Sequence, residues 1–143
     1  VELVKHSRLE ETIEFTGQVN ITEYLGKIDI IVLTSISEAQ PLVVLEAGAA
    51  GIPAIVTNVG SCPEIINGTN TELPNLGKAG EICQLASPKA IADAAVKLFS
   101  DKEYYQQCSA TIKERVRLYY NKETLSKQYR DLYEQLITEK DLQ

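Results

Sequence analysis

Methionine and tryptophan are absent from this chain of 143 residues, histidine occurs once and phenylalanine twice. The three cysteines, Cys62, Cys83 and Cys108, are widely spaced, and no pair has the separation of a metal site. No metal is therefore expected, and the thiols read as buried or half-exposed groups in a reducing compartment. Positive charge is scarce: 14 Lys and Arg against 20 Asp and Glu leave a formal charge of −6. That balance argues against a broad footprint on nucleic acid or on an anionic membrane. No apolar run reaches the roughly 18 residues of a membrane span, and no signal-peptide pattern opens the chain, so the expected address is the cytoplasm. The glycine motifs that cradle phosphate are missing too, both G-x-G-x-x-G after a strand and G-x-x-x-x-G-K-[ST]. Asn20-Ile21-Thr22 and Asn67-Gly68-Thr69 match the glycosylation pattern, but matches this short often arise by chance. With no Met at position 1 or elsewhere, a piece of a longer polypeptide is expected.

What remains is an ordinary globular composition, 44% hydrophobic and 24% charged. One domain over residues 1–143 is expected, with 102–143 as a helical extension. Short β-type runs alternate with helical patterns. Ile13–Thr16 reads as a strand ending at Gly17. Asp29–Ser35 is a continuous apolar run, as in a strand covered on both faces. Ala54–Asn58 reads the same way, and Gly80–Leu85 is a weaker candidate. Helices are expected over Ile21–Ile28, with Thr22 as N-cap, over Pro41–Ala50, and over Ser87–Asp101. Strands alternating with helices imply an α/β fold with a Rossmann-like parallel sheet and flanking helices. Residues 67–78 carry turn formers and read as a mobile surface loop. Beyond Asp101 two apolar stripes follow, Tyr104, Tyr105, Ile112, Val116 and Tyr119, then Leu125, Tyr129, Leu132, Tyr133, Leu136 and Ile137. They predict C-terminal helices jointed at Asn121–Glu123 and packed against the domain body, with a brace against another domain as the second reading. His6, alone on a helical stretch, reads as a surface residue.

Two carboxylates interrupt the least polar stretch, "SISEAQPLVVLEAGAAGIP". In open α/β sheets ligands bind beyond the carboxyl ends of the strands. The run Asp29–Thr34 ends into the loop bearing Glu38, and the next helix starts at Pro41 or Leu42. Its first N–H groups lack partners within the helix and carry the positive end of the dipole, which suits a phosphate. Glu46 lies about one turn further on. Two carboxylates flanking a phosphate site suit a polyhydroxylated ligand, because each accepts hydrogen bonds from hydroxyl groups. Position alone also allows a dipole-favoured Glu46 and a solvated Glu38. Gly48 and Gly51 read as points of close approach between helix and sheet.

The pair Glu38 and Glu46, an E-x7-E within "SISEAQPLVVLEAGAAGIPAIVTNVGSCPEI", closely resembles the nucleotide-sugar motif of the family 4 retaining glycosyltransferases. That motif lies in the C-terminal Rossmann-like domain of the GT-B fold. The likeness extends through "IEFTGQVN…EYLGKIDIIVLTS" and "GKAGEICQLASPKAIADAAVKLFSD", covering nearly the whole chain. In wording it is most similar to the PelF-type enzymes of exopolysaccharide synthesis.

The resemblance implies transfer of a sugar, UDP-glucose being the expected donor, to a saccharide acceptor with retention at the anomeric carbon and without a cofactor. Glu46 would bind the ribose hydroxyls and Glu38 the transferred sugar, as the catalytic residue. Backbone amides over Ala39, Gln40, Pro41, Leu42 and Val43 would hold the sugar and diphosphate, and Gly17 matches the region near the base pocket. The family's usual "EGFP" or "EGFG" is "EAQP" here, so Ala39 stands where a glycine is usual. The Arg and Lys that the family sets against the diphosphate have no counterpart; neither Lys5 nor Arg8 matches. The acceptor would be bound by an N-terminal domain outside this chain, and the chain alone is expected to be inactive. Readings from other classes are a non-catalytic nucleotide- or sugar-binding module and an α/β interaction domain. The resemblance also implies that the strand Asp29–Thr34 has a free edge. Either Ile13–Thr16 closes onto it in a four-stranded sheet, or a second copy covers it by self-association.

Overall fold

The computed structural model describes residues 2–140; the ends of the expected 1–143 span, residue 1 and residues 141–143, lie outside the described residues. Along the chain run α1 (Glu2–His6), two 3-10 turns (Ile21–Glu23 and Leu25–Lys27), β1 (Ile31–Leu33), α2 (Leu42–Ala49), β2 (Ala54–Thr57), α3 (Cys62–Asn67), β3 (Gly80–Cys83), α4 (Pro88–Ser100), α5 (Lys102–Tyr119) and α6 (Lys122–Lys140). The three strands form one parallel sheet in the order β1-β2-β3, with Ile31, Val32 and Leu33 beside Ala54, Ile55 and Val56. The α/β class and the helix-flanked parallel sheet are as the alternating pattern predicts.

Alternation along β2 builds the core. Ala54 and Val56 face α2, α3 and the far half of α5, where Val44, Cys62, Ile65, Ile66, Ile112 and Val116 close a buried layer. Ile55 faces the other way, onto Cys83, Ala94, Leu98 and Cys108 from β3, α4 and the start of α5. All four residues of β2 are buried. The three cysteines are free and buried. α5 runs past the start of every strand: Tyr105 donates its hydroxyl to the Asp29 carbonyl at 2.9 Å, Ser109 to the Gly51 carbonyl at 2.5 Å, and Tyr104 to Glu81 at 2.7 Å. Burial works to raise the Glu81 pKa, but hydrogen bonds from Lys97 and Tyr104 outweigh it and hold the carboxyl below its ordinary range.

Several expectations need correction. Ile13–Thr16 is not a strand; residues 7–20 form an exposed, irregular segment. β-structure is non-local, so strand propensity alone does not make a strand, and this run stays exposed without pairing onto the open edge of β1. Among the described residues the sheet accordingly has three strands, not four; β1 pairs there with β2 alone, and Val32 is 46% exposed. The helix over Ile21–Ile28 is replaced by two 3-10 turns. Asn20, not Thr22, caps the first of them, with Oδ1 accepting from the Thr22 N–H at 3.2 Å and from its hydroxyl at 2.8 Å. Gly26 weakens a segment already too short to propagate a helix. α3 has no counterpart among the expected helices, although Pro63 near its start and Gly68 after its end are the usual boundary signals.

The loop 68–78 is tied down rather than mobile. Arg115 of α5, 1% exposed, makes a two-pronged ion pair with Glu72, Nε to Oε2 at 2.7 Å and a terminal nitrogen to Oε1 at 2.8 Å. The guanidinium also donates to the carbonyls of Ile65, Ile66 and Gly77. Hydrogen bonding from Arg115 holds the Glu72 carboxyl below the usual range against its burial. Gly48 meets a helix, not the sheet: a Cβ there would lie 2.6 Å from Ile112 Cγ1.

The expected packing of the tail holds for α5 only. The break falls at Tyr120–Asn121, where Asn121 Oδ1 accepts from the Thr124 N–H at 2.8 Å. Tyr129, Leu132, Tyr133, Leu136 and Ile137 of α6 stay exposed. Among the described residues no helix is long and apolar enough to cross a membrane.

Candidate functional site

Glu38 sits on the loop between β1 and α2, and the fold holds that loop from two sides. At its start, Thr57 at the end of β2 donates its hydroxyl to the Ser35 carbonyl at 2.5 Å. At its far side, the Ser61 N–H donates to the Ala39 carbonyl at 3.0 Å. The turn before α3 approaches so closely that any Cβ on Gly60, at φ +50°, would strike the Glu38 carbonyl oxygen. Ser61 Oγ is buried there without a partner among the described residues.

The Glu38 side chain is half-buried and makes one intraprotein hydrogen bond. Ser35 Oγ donates to Oε1 at 2.6 Å, leaving Oε2 without a partner among the described residues. Its negative charge is felt nearby: burial first, and then Glu38, push the Cys62 thiol up from its ordinary pKa.

Pro41 is buried, caps α2 in an extended conformation (φ −75°, ψ 103°) and offers no side-chain cap. Being a proline, it also brings no N–H, so it is a gap in the expected row of donors. The amides of Ala39, Gln40, Leu42 and Val43 have no hydrogen-bond partner among the described residues, whereas Val44 and Leu45 turn back to the Pro41 carbonyl. Four unpaired donors thus surround the start of an eight-residue helix, next to a carboxylate with one free oxygen.

Glu46 lies elsewhere on α2. It is exposed and lines a groove of about 500 Å³ with Leu42, Leu45, Ala49, Lys113 and Tyr120. The cavity lining does not include Glu38, so the two carboxylates flank the first turns of α2 without sharing a pocket. Lys113 is a cation that the spacing of the motif could not reveal, since it comes from α5. Its neighbour Arg117 is already held by Glu114. Gly17 stands apart in the exposed N-terminal segment, at φ +66°, with no atom beyond its chain neighbours within 4 Å of where a Cβ would lie. A second cavity of about 450 Å³ spans the carboxyl ends of the strands, lined by Thr34, Ile36, Thr57, Leu85, Ser87 and Ile91. Among the described residues no cluster of three or more His, Cys, Asp or Glu is arranged to hold a metal ion.

The family model described as Glycosyl transferases group 1 matches residues 1–115. The N-acetyl-alpha-D-glucosaminyl L-malate synthase of Bacillus anthracis is 33% identical over 134 residues, covering 93% of this chain and 33% of that protein. The lipopolysaccharide core biosynthesis mannosyltransferase LpsB of Rhizobium meliloti (strain 1021) is 31% identical over 110 residues, covering 76% of this chain and 30% of the relative. Among solved structures, the sucrose-phosphate synthase of Thermosynechococcus elongatus superposes with a TM-score of 0.82 at 26% identity, over 96% of this chain and 33% of that one. The C-terminal domain of the group 1 glycosyl transferase LpcC of Francisella tularensis gives 0.67 at 28% identity, over 85% of this chain and 60% of that one. The chain spans about a third of the length of the curated relatives it matches.

Proposed function

The chain belongs to the group 1 glycosyl transferases, and from that premise we propose that it is the donor-binding part of a retaining family 4 enzyme, of the PelF-like kind that builds an exopolysaccharide. The donor is a UDP-sugar, UDP-glucose first among them, and the acceptor is a saccharide bound by another part of the polypeptide. One observation carries the reading: a half-buried carboxylate with Oε2 free stands beside four unpaired amides at the start of α2. The amides and the helix dipole stabilise the charge that grows on the diphosphate as the glycosidic bond breaks. Glu38 accepts a hydrogen bond from a hydroxyl of the transferred sugar and orients it. Glu46, on the groove side of α2, accepts from the ribose hydroxyls. No cofactor or metal takes part. The further cations that a diphosphate needs come from outside this chain, which by itself is inactive.

The test separates the two carboxylates in the full-length protein. Glu46→Gln should weaken binding of UDP, measured by calorimetric titration, by roughly 1.5–3 kcal/mol, the range for a hydrogen bond to a charged group. Glu38→Gln should leave UDP affinity near wild type and lower turnover at saturating UDP-glucose. Equal UDP affinity in Glu46→Gln and wild type, or unchanged turnover in Glu38→Gln, would remove the corresponding assignment.

A further inference from the structure

We propose that Ser35 is the positioning residue for Glu38, linking the central strand to the carboxylate that meets the transferred sugar; this rests on the reading of Glu38 given above. β2 has a neighbouring strand on each side, so its last residue, the buried Thr57, belongs to the best-supported part of the sheet. The Thr57 hydroxyl holds the Ser35 carbonyl at 2.5 Å, and the Ser35 hydroxyl in turn holds Glu38 Oε1 at 2.6 Å. A glutamate on a loop has several free torsions. A short, charge-assisted O–H···O⁻ bond removes much of that freedom and occupies one oxygen, so a sugar hydroxyl meets the other.

The backbone is restrained as well. The Ser61 N–H holds the Ala39 carbonyl, and Gly60 packs directly on the Glu38 carbonyl. With main chain and side chain both anchored, Glu38 waits in place for the donor, and less of the donor's binding energy is used to order it. Ser35 acts through Glu38 and has no contact of its own with the reacting atoms. Its removal should therefore lower kcat and leave the nucleotide contacts alone.

The experiment is a double-mutant cycle in the full-length protein, following UDP release from UDP-glucose. Ser35→Ala should lower kcat roughly tenfold, in line with loss of one hydrogen bond to a charged group, while KM for UDP-glucose stays within about twofold. Ser35→Thr keeps the hydroxyl and should restore most of the rate. In a Glu38→Gln background, Ser35→Ala should cost nothing further, because the group it positions has already lost its charge. Two results would overturn the proposal: wild-type kcat in Ser35→Ala, or a Ser35→Ala loss that multiplies undiminished on top of Glu38→Gln. A fully active Glu38→Gln variant would instead overturn the functional reading of Glu38, so the two failures are told apart. Urea unfolding of Ser35→Ala, expected at the wild-type midpoint, separates lost positioning from lost folding.

Discussion

The loops 34–41 and 68–78 each carry one glutamate that the fold shields in part from water, and they treat it in opposite ways. Glu72 is saturated: both oxygens engage Arg115, and Oε1 also takes the Leu76 N–H at 2.9 Å. Glu38 receives a single hydroxyl and keeps an oxygen free. A charge withdrawn from water must be compensated, and the degree of compensation separates a structural carboxylate from one left available for a ligand. The comparison also explains why loop 68–78, rich in turn formers, is ordered. Its charge is met inside the protein, by a helix 43 positions away in sequence.

The largest test of this contrast removes the partner of the saturated glutamate. Arg115→Leu leaves Glu72 buried and unpaired and strands the carbonyls of Ile65, Ile66 and Gly77. A loss of about 3–5 kcal/mol in urea unfolding is expected, the usual cost of breaking a buried pair from one side. A loss below 1 kcal/mol would mean that the loop is held by its other contacts, such as Thr111 to the Leu76 carbonyl.

A smaller effect appears in the pH dependence. Arg115 lowers the pKa of Glu72 in the folded state, so the associated stability is complete above the unfolded value, near 4.3, and is lost as pH falls through the folded one. The stability advantage of the wild type over Glu72→Gln should therefore be constant from pH 8 to about 6 and narrow below about pH 4. Unfolding midpoints across that range check it; a gap that widens in acid would reverse the assigned sign.

The smallest effect belongs to the open glutamate. Glu38→Gln loses no ion pair and should change unfolding free energy by less than about 0.5 kcal/mol, as surface-type substitutions do. A loss of several kcal/mol would place Glu38 with Glu72, as a structural carboxylate.

The sequence by itself determined the parts whose signals are local. The apolar runs that became β1, β2 and β3, the Pro-to-Gly bounds of α2, the start of α4 and the E-x7-E spacing all depend on residues within a few positions of each other. Strand ends came out shorter than the expected runs, because a strand extends only as far as its ladder: β1 covers Ile31–Leu33 of the expected Asp29–Ser35. Tertiary structure alone decided the rest, because each remaining feature joins residues far apart in the chain. Ile13–Thr16 had strand propensity but pairs with no strand among the described residues. α5 and α6 carry similar stripes, yet only α5 found a core to cover, where Gly48 admits Ile112. Arg115 and Glu72 have no pattern in common until α5 crosses the loop. The free oxygen of Glu38 follows from Ser35, Thr57 and Gly60 meeting at the end of the central strand, and packing is what brings those three together.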